Sequence, residues 1–335
     1  MEHRRRTRIF TWHIHGSYLY YLSQCNFDIY IPLGSPGHEG YIGRGTTFPF
    51  GANVIEVPAN EVRHLELDCI LFQTNRNYLE DQYEVLSQEQ RSLPAIYLEH
   101  DPPQRVPTNT PHVVNSPLVT LVHVTSFNAL MWDNNDTPTT VIDHGVIAPD
   151  ASYTGEIPKG IVVINNLSER GRRLGYDIFL EVRKYIPLDL IGMNTEMIGG
   201  LGEVLHPQLP AFVSRYRFFF NPIRYTSLGL AVLEAMMIGI PVVGLATTEM
   251  VTVIRNDESG YLHTDIQYLI NKMRLLLKDN ALARRLGEEG KRVATGRFSI
   301  QRFVHDWEQL VEAVIARHPE KNSMAQLITT GGTAI

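Results

Sequence analysis

The chain of 335 residues has only two cysteines, Cys25 and Cys69, far apart and without C-x-x-C spacing. That scarcity excludes a disulfide framework and a paired-cysteine metal site, and leaves two small hydrophobes expected to be buried. No window approaches the 18 consecutive apolar residues of a spanning helix. The start is also unlike a leader, since the run Ile9 to His15 after Arg4, Arg5 and Arg6 is too short and too polar for an apolar core. A soluble, cytoplasmic protein is therefore expected. Lysine is absent before Lys159: residues 1–155 carry 9 Lys+Arg against 17 Asp+Glu, and the remainder 21 against 19. A duplex-binding face needs clustered cations to displace phosphate counterions, so nucleic acid is a disfavoured partner. Hydrophobic residues at 44% and charged residues at 20% fit neither a disordered chain nor a coiled coil.

The length suggests two domains of about 150 residues each. Short β-branched or aromatic runs alternate with helical-period segments, which predicts stacked β-α units and parallel sheets. Strands are expected at Arg8–Ile14, Asp28–Pro32, Asp68–Phe72, Ala95–Glu99, Val119–Val124 and Thr139–Ile142, then at Gly160–Ile164, Leu188–Gly192, Phe218–Asn221 and Pro241–Leu245. Helices are expected after Gly16 and over Asn77–Arg91, Ser126–Trp132, Gly175–Lys184, Gly229–Ile238, Asp265–Lys278, Ala281–Thr295 and Ser299–Arg317. Gly34–Gly51 reads as one long glycine-rich loop and Pro102–Pro117 as a proline-punctuated one. Pro149, Gly155 and Pro158 mark a boundary. The expected division is a domain at 1–150, a second at 151–300, a helix at 301–318 crossing back to the first, and a flexible tail at 319–335. The face of Phe303, Trp307, Leu310 and Val314 should be core or interdomain packing.

The most informative stretch runs from Phe218 to Val243. A strand enters a Pro222 turn, Ser227 and Gly229 open a helix, and Gly239-Ile-Pro241 ends it. Between Leu228 and Ile240 the one charged residue is Glu234. Apolar helix positions are core packing, but a buried carboxylate without a partner costs several kcal/mol. Glu234 should therefore lie within about two turns of the helix start and face a polar cleft with hydroxyl donors.

The run from Asn221-Pro through Glu234-Ala-Met to Gly239-Ile-Pro-Val-Val243 resembles the donor segment of retaining GT-B glycosyltransferases of family 4 (glycosyl transferases group 1). Asp257-Glu-Ser-Gly-Tyr-Leu262, Arg285-Leu-Gly-Glu-Glu-Gly-Lys-Arg and Arg297-Phe-Ser299 extend the resemblance over roughly residues 160–316. It implies an α/β fold of GT-B architecture, two Rossmann-like domains with parallel sheets facing a central cleft. The N-terminal domain would then take the acceptor and the C-terminal one a nucleotide-sugar donor.

The resemblance makes Glu234 the acceptor of the ribose hydroxyls, and a carboxylate suits a vicinal diol because it accepts two hydrogen bonds. The family's first glutamate falls on Thr226, a hydroxyl without negative charge. Ser227, Leu228 and Gly229 would present helix N–H groups to the diphosphate. The family's cation has shifted here to Arg170, Arg172 and Arg173, which share the candidacy beside Leu174-Gly175-Tyr176-Asp177. Thr248 and Glu249, with Thr247, follow a strand end where ligands sit in α/β sheets. His100 at the end of Ala95–Glu99 matches the family's cleft histidine. His15, Gly16 and Ser17, with His13, occupy the first strand-to-helix turn, where Gly16 allows close backbone approach. His144-Gly145-Val146 resembles the hinge, so His144 reads as structural.

Asp133-Asn-Asn-Asp136 reads as a turn and not a metal cage. The resemblance implies metal-independent, front-face transfer of a hexose-type sugar from a UDP- or GDP-sugar to a hydroxyl, with no further cofactor. The acceptor is expected to be a sugar, glycolipid or small metabolite. The alternatives are a sugar-nucleotide-binding pseudo-transferase, a sugar-nucleotide epimerase, and a glycosyltransferase acting on modified DNA.

Overall fold

The computed structural model describes residues 5–34 and 39–318. The chain forms two compact units: the first runs to Ile142 and is completed from Gln301 onward, and the second is Asp143–Ile300. The expected tail at 319–335 lies outside the described residues.

The first unit holds seven strands, β1 (Thr7–Thr11), β2 (Phe27–Leu33), β3 (Val54–Pro58), β4 (Cys69–Phe72), β5 (Ala95–Glu99), β6 (Val119–His123) and β7 (Thr139–Val141). They form one sheet in the order β3-β2-β1-β4-β5-β6-β7, every pair parallel. Strands covered on both faces need side chains that are apolar throughout, and Cys69-Ile-Leu-Phe72 is buried at every position. Helices α1 (Gly16–Leu22), α2 (Gln82–Val85), α3 (Gln88–Arg91) and α4 (Ser126–Met131) lie between strands. Cys25 and Cys69 are free and buried.

The second unit pairs β8 (Ile157–Val163), β9 (Leu188–Ile191), β10 (Tyr216–Asn221), β11 (Val242–Leu245) and β12 (Gly260–His263) in the parallel order β12-β11-β10-β8-β9. Its helices are α5 (Leu167–Arg170), α6 (Tyr176–Val182), α7 (Leu209–Val213), α8 (Leu230–Ile238), α9 (Met250–Val253), α10 (Ile266–Lys278) and α11 (Asn280–Arg297). The last helix, α12 (Ile300–Arg317), packs in the first unit. There Trp307 Nε1 donates to Tyr18 Oη at 3.1 Å, and Phe303 meets the Tyr18 ring edge-on at 5.5 Å.

The structure changes or sharpens several expectations. β3 lies just beyond the glycine loop, in a segment not expected to be a strand. The loop itself is pinned by antiparallel bridges from His13 to Gly40 and from Leu33 to Ile42. The helix expected over Asn77–Arg91 breaks into a π-helical turn at Asn77–Asp81, then α2, then α3, which Ser87 starts with a capping box to Gln90. On α12 the buried face is Phe303, Trp307, Val311 and Val314, with Leu310 only half-buried. Asp133–Asp136 forms a turn in which Asn135 (φ 52°) donates its N–H to Asp133 Oδ1 at 3.2 Å. Among the described residues, no helix is long and apolar enough to cross a membrane, and no group of three or more His, Cys, Asp or Glu side chains is arranged to hold a metal ion.

Candidate functional site

In open parallel sheets a ligand sits beyond the carboxyl ends of the strands where the strand order reverses. The second unit reverses between β8 and β10. The segments leaving these strands are docked backbone to backbone. Gly175 takes φ +81°, and a Cβ there would lie 2.0 Å from the Pro222 carbonyl oxygen, so only glycine fits. The Arg224 and Tyr225 N–H groups donate to the Arg173 carbonyl at 3.0 and 3.3 Å.

A charged cluster sits on this junction. Arg224 Nη1 and Nη2 donate to the two Asp177 oxygens at 2.5 and 2.8 Å, and Nη1 also to the Arg172 carbonyl at 2.6 Å. Arg172 Nη1 reaches Asp177 Oδ2 at 2.5 Å. Bonding to Arg224 holds the Asp177 carboxyl below its ordinary range, against a smaller opposing effect of burial. Two guanidinium groups on one carboxylate leave a net positive charge. Arg170 is exposed and Arg173 half-buried in the same turn. Sequence reasoning missed Arg224, although it is the only cation between Phe218 and Ile254.

The helix opened by this junction is α8. Gly229 precedes it in extended conformation without a side-chain cap, and a Cβ on Gly229 would meet nothing within 4 Å. Thr226 and Ser227 are half-buried and Leu228 is buried. Every residue from Val232 to Ile238 is buried, Glu234 included, and Gly239 at φ +95° ends the helix. Glu234 lies on the second turn, with Oε1 3.5 Å from His206 Nε2.

Thr248 takes an unusual φ of 51° and is half-buried. Glu249 is 2% exposed, with Oε1 receiving Arg297 Nη2 at 3.0 Å and Thr252 Oγ1 at 2.7 Å. Arg297 also forks onto Asp143 through Nε at 2.7 Å and Nη2 at 3.2 Å. In this structure Glu249 takes part in an ionic network joining the start of α9 to the end of α11.

The first unit reverses its strand order between β1 and β4. A cavity of about 590 Å³ opens beyond β1, β4 and β5, with His15, Gln73, Glu99, His100, Asp101 and Trp132 among its lining. Gln73 Nε2 donates to Thr11 Oγ1 at 2.9 Å and to the Trp12 carbonyl at 2.8 Å, so its Oε1 faces His100 Nε2 at 2.9 Å. That arrangement protonates Nε2 and puts the lone pair of neutral His100 on Nδ1. The His15 ring lies 4.1 Å from the His100 ring. Burial raises the Glu99 carboxyl above its ordinary range, although His112 Nε2 at 3.3 Å and the Asp101 N–H at 2.9 Å favour its ionised form.

The structure therefore brings His15 and His100 together and leaves Gly16 and Ser17 off this lining. A Cβ on Gly16 would lie 2.4 Å from the Phe48 ring, so a side chain there would collide with Phe48. His13 is buried with Nδ1 2.5 Å from the Gly43 carbonyl, and burial lowers its pKa. His144 is buried.

Residues 191–293 match the family described as Glycosyl transferases group 1. The match spans β9 to α11 and includes His206, Arg224, Glu234 and Glu249. No curated protein matches the chain by sequence. Solved structures match it by fold. Sucrose-phosphate synthase (tll1590) from Thermosynechococcus elongatus superposes with a TM-score of 0.70 at 14% identity, covering 93% of this chain and 100% of that one. Alr3699/HepE from Anabaena, in complex with UDP and glucose, gives 0.67 at 14% identity, covering 92% and 100%. A glycosyltransferase from Rickettsia africae ESF-5 gives 0.59 at 10% identity, covering 94% and 100%. The fold is thus the α/β type with two parallel sheets of the GT-B glycosyltransferases. Outside the group 1 segment, likeness at this level of identity speaks for the fold alone.

Proposed function

We propose that this chain is a retaining glycosyltransferase that moves a hexose-type sugar from a nucleotide-diphosphate sugar, UDP- or GDP-linked, to an acceptor hydroxyl without a metal ion. The observation that carries the reading is Glu234, a buried carboxylate on the second turn of an otherwise apolar helix, inside the group 1 segment and beyond the strand-order reversal.

In this reading Glu234 accepts hydrogen bonds from the ribose diol. The uncapped start of α8 and the cluster of Arg170, Arg172, Arg173 and Arg224 receive the diphosphate. The departing negative charge is met by those guanidinium groups and by helix N–H groups. The leaving diphosphate itself takes the acceptor proton on the front face. Thr226 and Ser227 offer hydroxyls to the donor sugar. The cavity with His15 and His100 receives the acceptor, and the lysine-free, acidic first half favours a neutral sugar, a glycolipid or a small metabolite over a polyanion.

The experiment is calorimetry of UDP, GDP and their sugars against wild-type protein and Glu234→Ala. A carboxylate accepting two hydrogen bonds contributes roughly 3 kcal/mol or more, so about a hundredfold weaker binding is expected. Wild-type affinity in Glu234→Ala would falsify the assignment. A second reading, a sugar-nucleotide binder without transfer, is favoured by Thr226 at the place of the family's first glutamate. Donor binding without hydrolysis or transfer, and turnover gained by Thr226→Glu, would support it.

A further inference from the structure

Glu234 is set in a helix whose neighbours from Val232 to Ile238 are all buried and otherwise apolar. A carboxylate in such surroundings is costly without a polar partner, and its two oxygens can bind a diol only if the plane of the carboxylate is fixed. The structure supplies a partner from outside the helix: His206 Nε2 lies 3.5 Å from Glu234 Oε1, with side-chain exposures of only 19% and 12%.

The position of His206 is set by backbone on both sides. Upstream, the Leu201 N–H donates to the Leu190 carbonyl at 2.8 Å, and the Gly192 N–H to the Gly202 carbonyl at 2.9 Å. Both bonds tie the loop to the end of β9. Downstream, the Leu209 N–H donates to the Leu205 and His206 carbonyls at 3.1 and 3.3 Å. This leads into α7, which packs on α8. The imidazole is thus delivered to Glu234 by a loop held at both ends.

We propose that His206 is a positioning residue for nucleotide recognition: by engaging Oε1 it fixes the Glu234 carboxylate in the orientation that accepts the ribose diol. This rests on the reading of Glu234 as the ribose acceptor. It adds that ribose selectivity is a property of the His206–Glu234 pair. A residue that only supported the loop would weaken every nucleotide alike, whereas one acting through Glu234 weakens a nucleotide with both ribose hydroxyls more than one that keeps only the 3′-hydroxyl.

The test is calorimetry with UDP and 2′-deoxy-UDP, and with GDP and 2′-deoxy-GDP, on wild type, His206→Ala, His206→Gln and Glu234→Gln, each variant checked for an unchanged melting temperature. His206→Ala should weaken the ribonucleotide about tenfold and its deoxy counterpart less than about twofold. His206→Gln, which keeps an N–H donor, should recover most of the loss. Equal weakening of both nucleotides by His206→Ala, or no weakening of either, overturns the proposal. If Glu234→Gln keeps the full preference for ribose, the reading of Glu234 fails and the proposal with it. If Glu234→Gln loses that preference and His206→Ala does not, the proposal alone fails. Binding of neither UDP nor GDP to the wild type overturns both.

Discussion

Arg297 is the last residue of α11, and three groups converge on it. Asp143 receives Nε and Nη2, Glu249 receives Nη2, and Thr252 Oγ1 receives Nη1 at 3.0 Å while donating to Glu249. The Glu249 side chain is 3% exposed and that of Arg297 32%. Arg297→Ala takes the guanidinium away from a buried carboxylate to which Thr252 Oγ1 still donates. Breaking a buried pair from one side costs about 3 to 5 kcal/mol, and the partial exposure of Arg297 puts the expected loss near the lower end, about 3 kcal/mol. In a thermal melt that is a drop of roughly 6 to 12 °C. Most of this loss is the penalty of a charge left behind. Adding Glu249→Gln to Arg297→Ala should therefore restore about 1 kcal/mol or more, a coupling read by urea denaturation of both single variants and the double. A loss under about 1 kcal/mol for Arg297→Ala, or strictly additive variants, would refute the reasoning. Glu249→Gln also separates the two roles this residue can have. A structural anchor lowers the melting temperature and leaves UDP affinity alone, whereas a donor contact does the reverse.

Two further outcomes are expected, besides those stated for Glu234 and His206. His123 is fully buried; Asn134 Nδ2 donates to the Ala129 carbonyl at 3.0 Å, so its Oδ1 accepts from His123 Nε2 at 2.8 Å, and Nδ1 is buried without a partner. Burial pushes the His123 pKa down to about 4. The folded value lies below the unfolded one, so the unfolded chain takes the proton first. Stability is full above about pH 6.5 and falls by about 3 kcal/mol as the pH drops toward 4. The difference in urea midpoint between wild type and His123→Phe should change across that window, and a constant difference disproves the account. Gly175→Ala should cost at least about 2 kcal/mol through left-handed strain and the clash with the Pro222 carbonyl, and should weaken UDP binding with it. A variant that melts like wild type would show that the junction yields.

Much of the fold was readable because parallel strands buried on both faces announce themselves as short apolar runs. β5 matched its expectation to the residue. β3 escaped because Val54-Ile-Glu-Val-Pro58 follows a glycine-rich stretch and ends in proline, so local composition argued for more loop. The break after α2 was written in Ser87-Gln-Glu-Gln90, a capping box that helical periodicity across Asn77–Arg91 obscured. In the site, Glu234 was legible because a lone charge among apolar residues needs an explanation that packing cannot give. Its partner His206 was not, since 27 residues of loop, helix and strand separate the two and no short-range pattern links them. Glu249 shows the same limit. Its place after a strand end was legible, but its ion pair with Arg297, 48 residues further along the chain, was not.

The first unit is finished by α12, the last of the described helices. Tyr18 is buried, and Trp307, whose indole N–H donates to its hydroxyl, is synthesised 289 residues later. On the ribosome, α1 must therefore wait with its apolar face uncovered while the whole of Asp143–Ile300 emerges and folds. The unit made first is completed last. At about 5 to 20 residues per second that wait is on the order of tens of seconds, a window in which chaperones have reason to bind the nascent N-terminal sheet and not the C-terminal one.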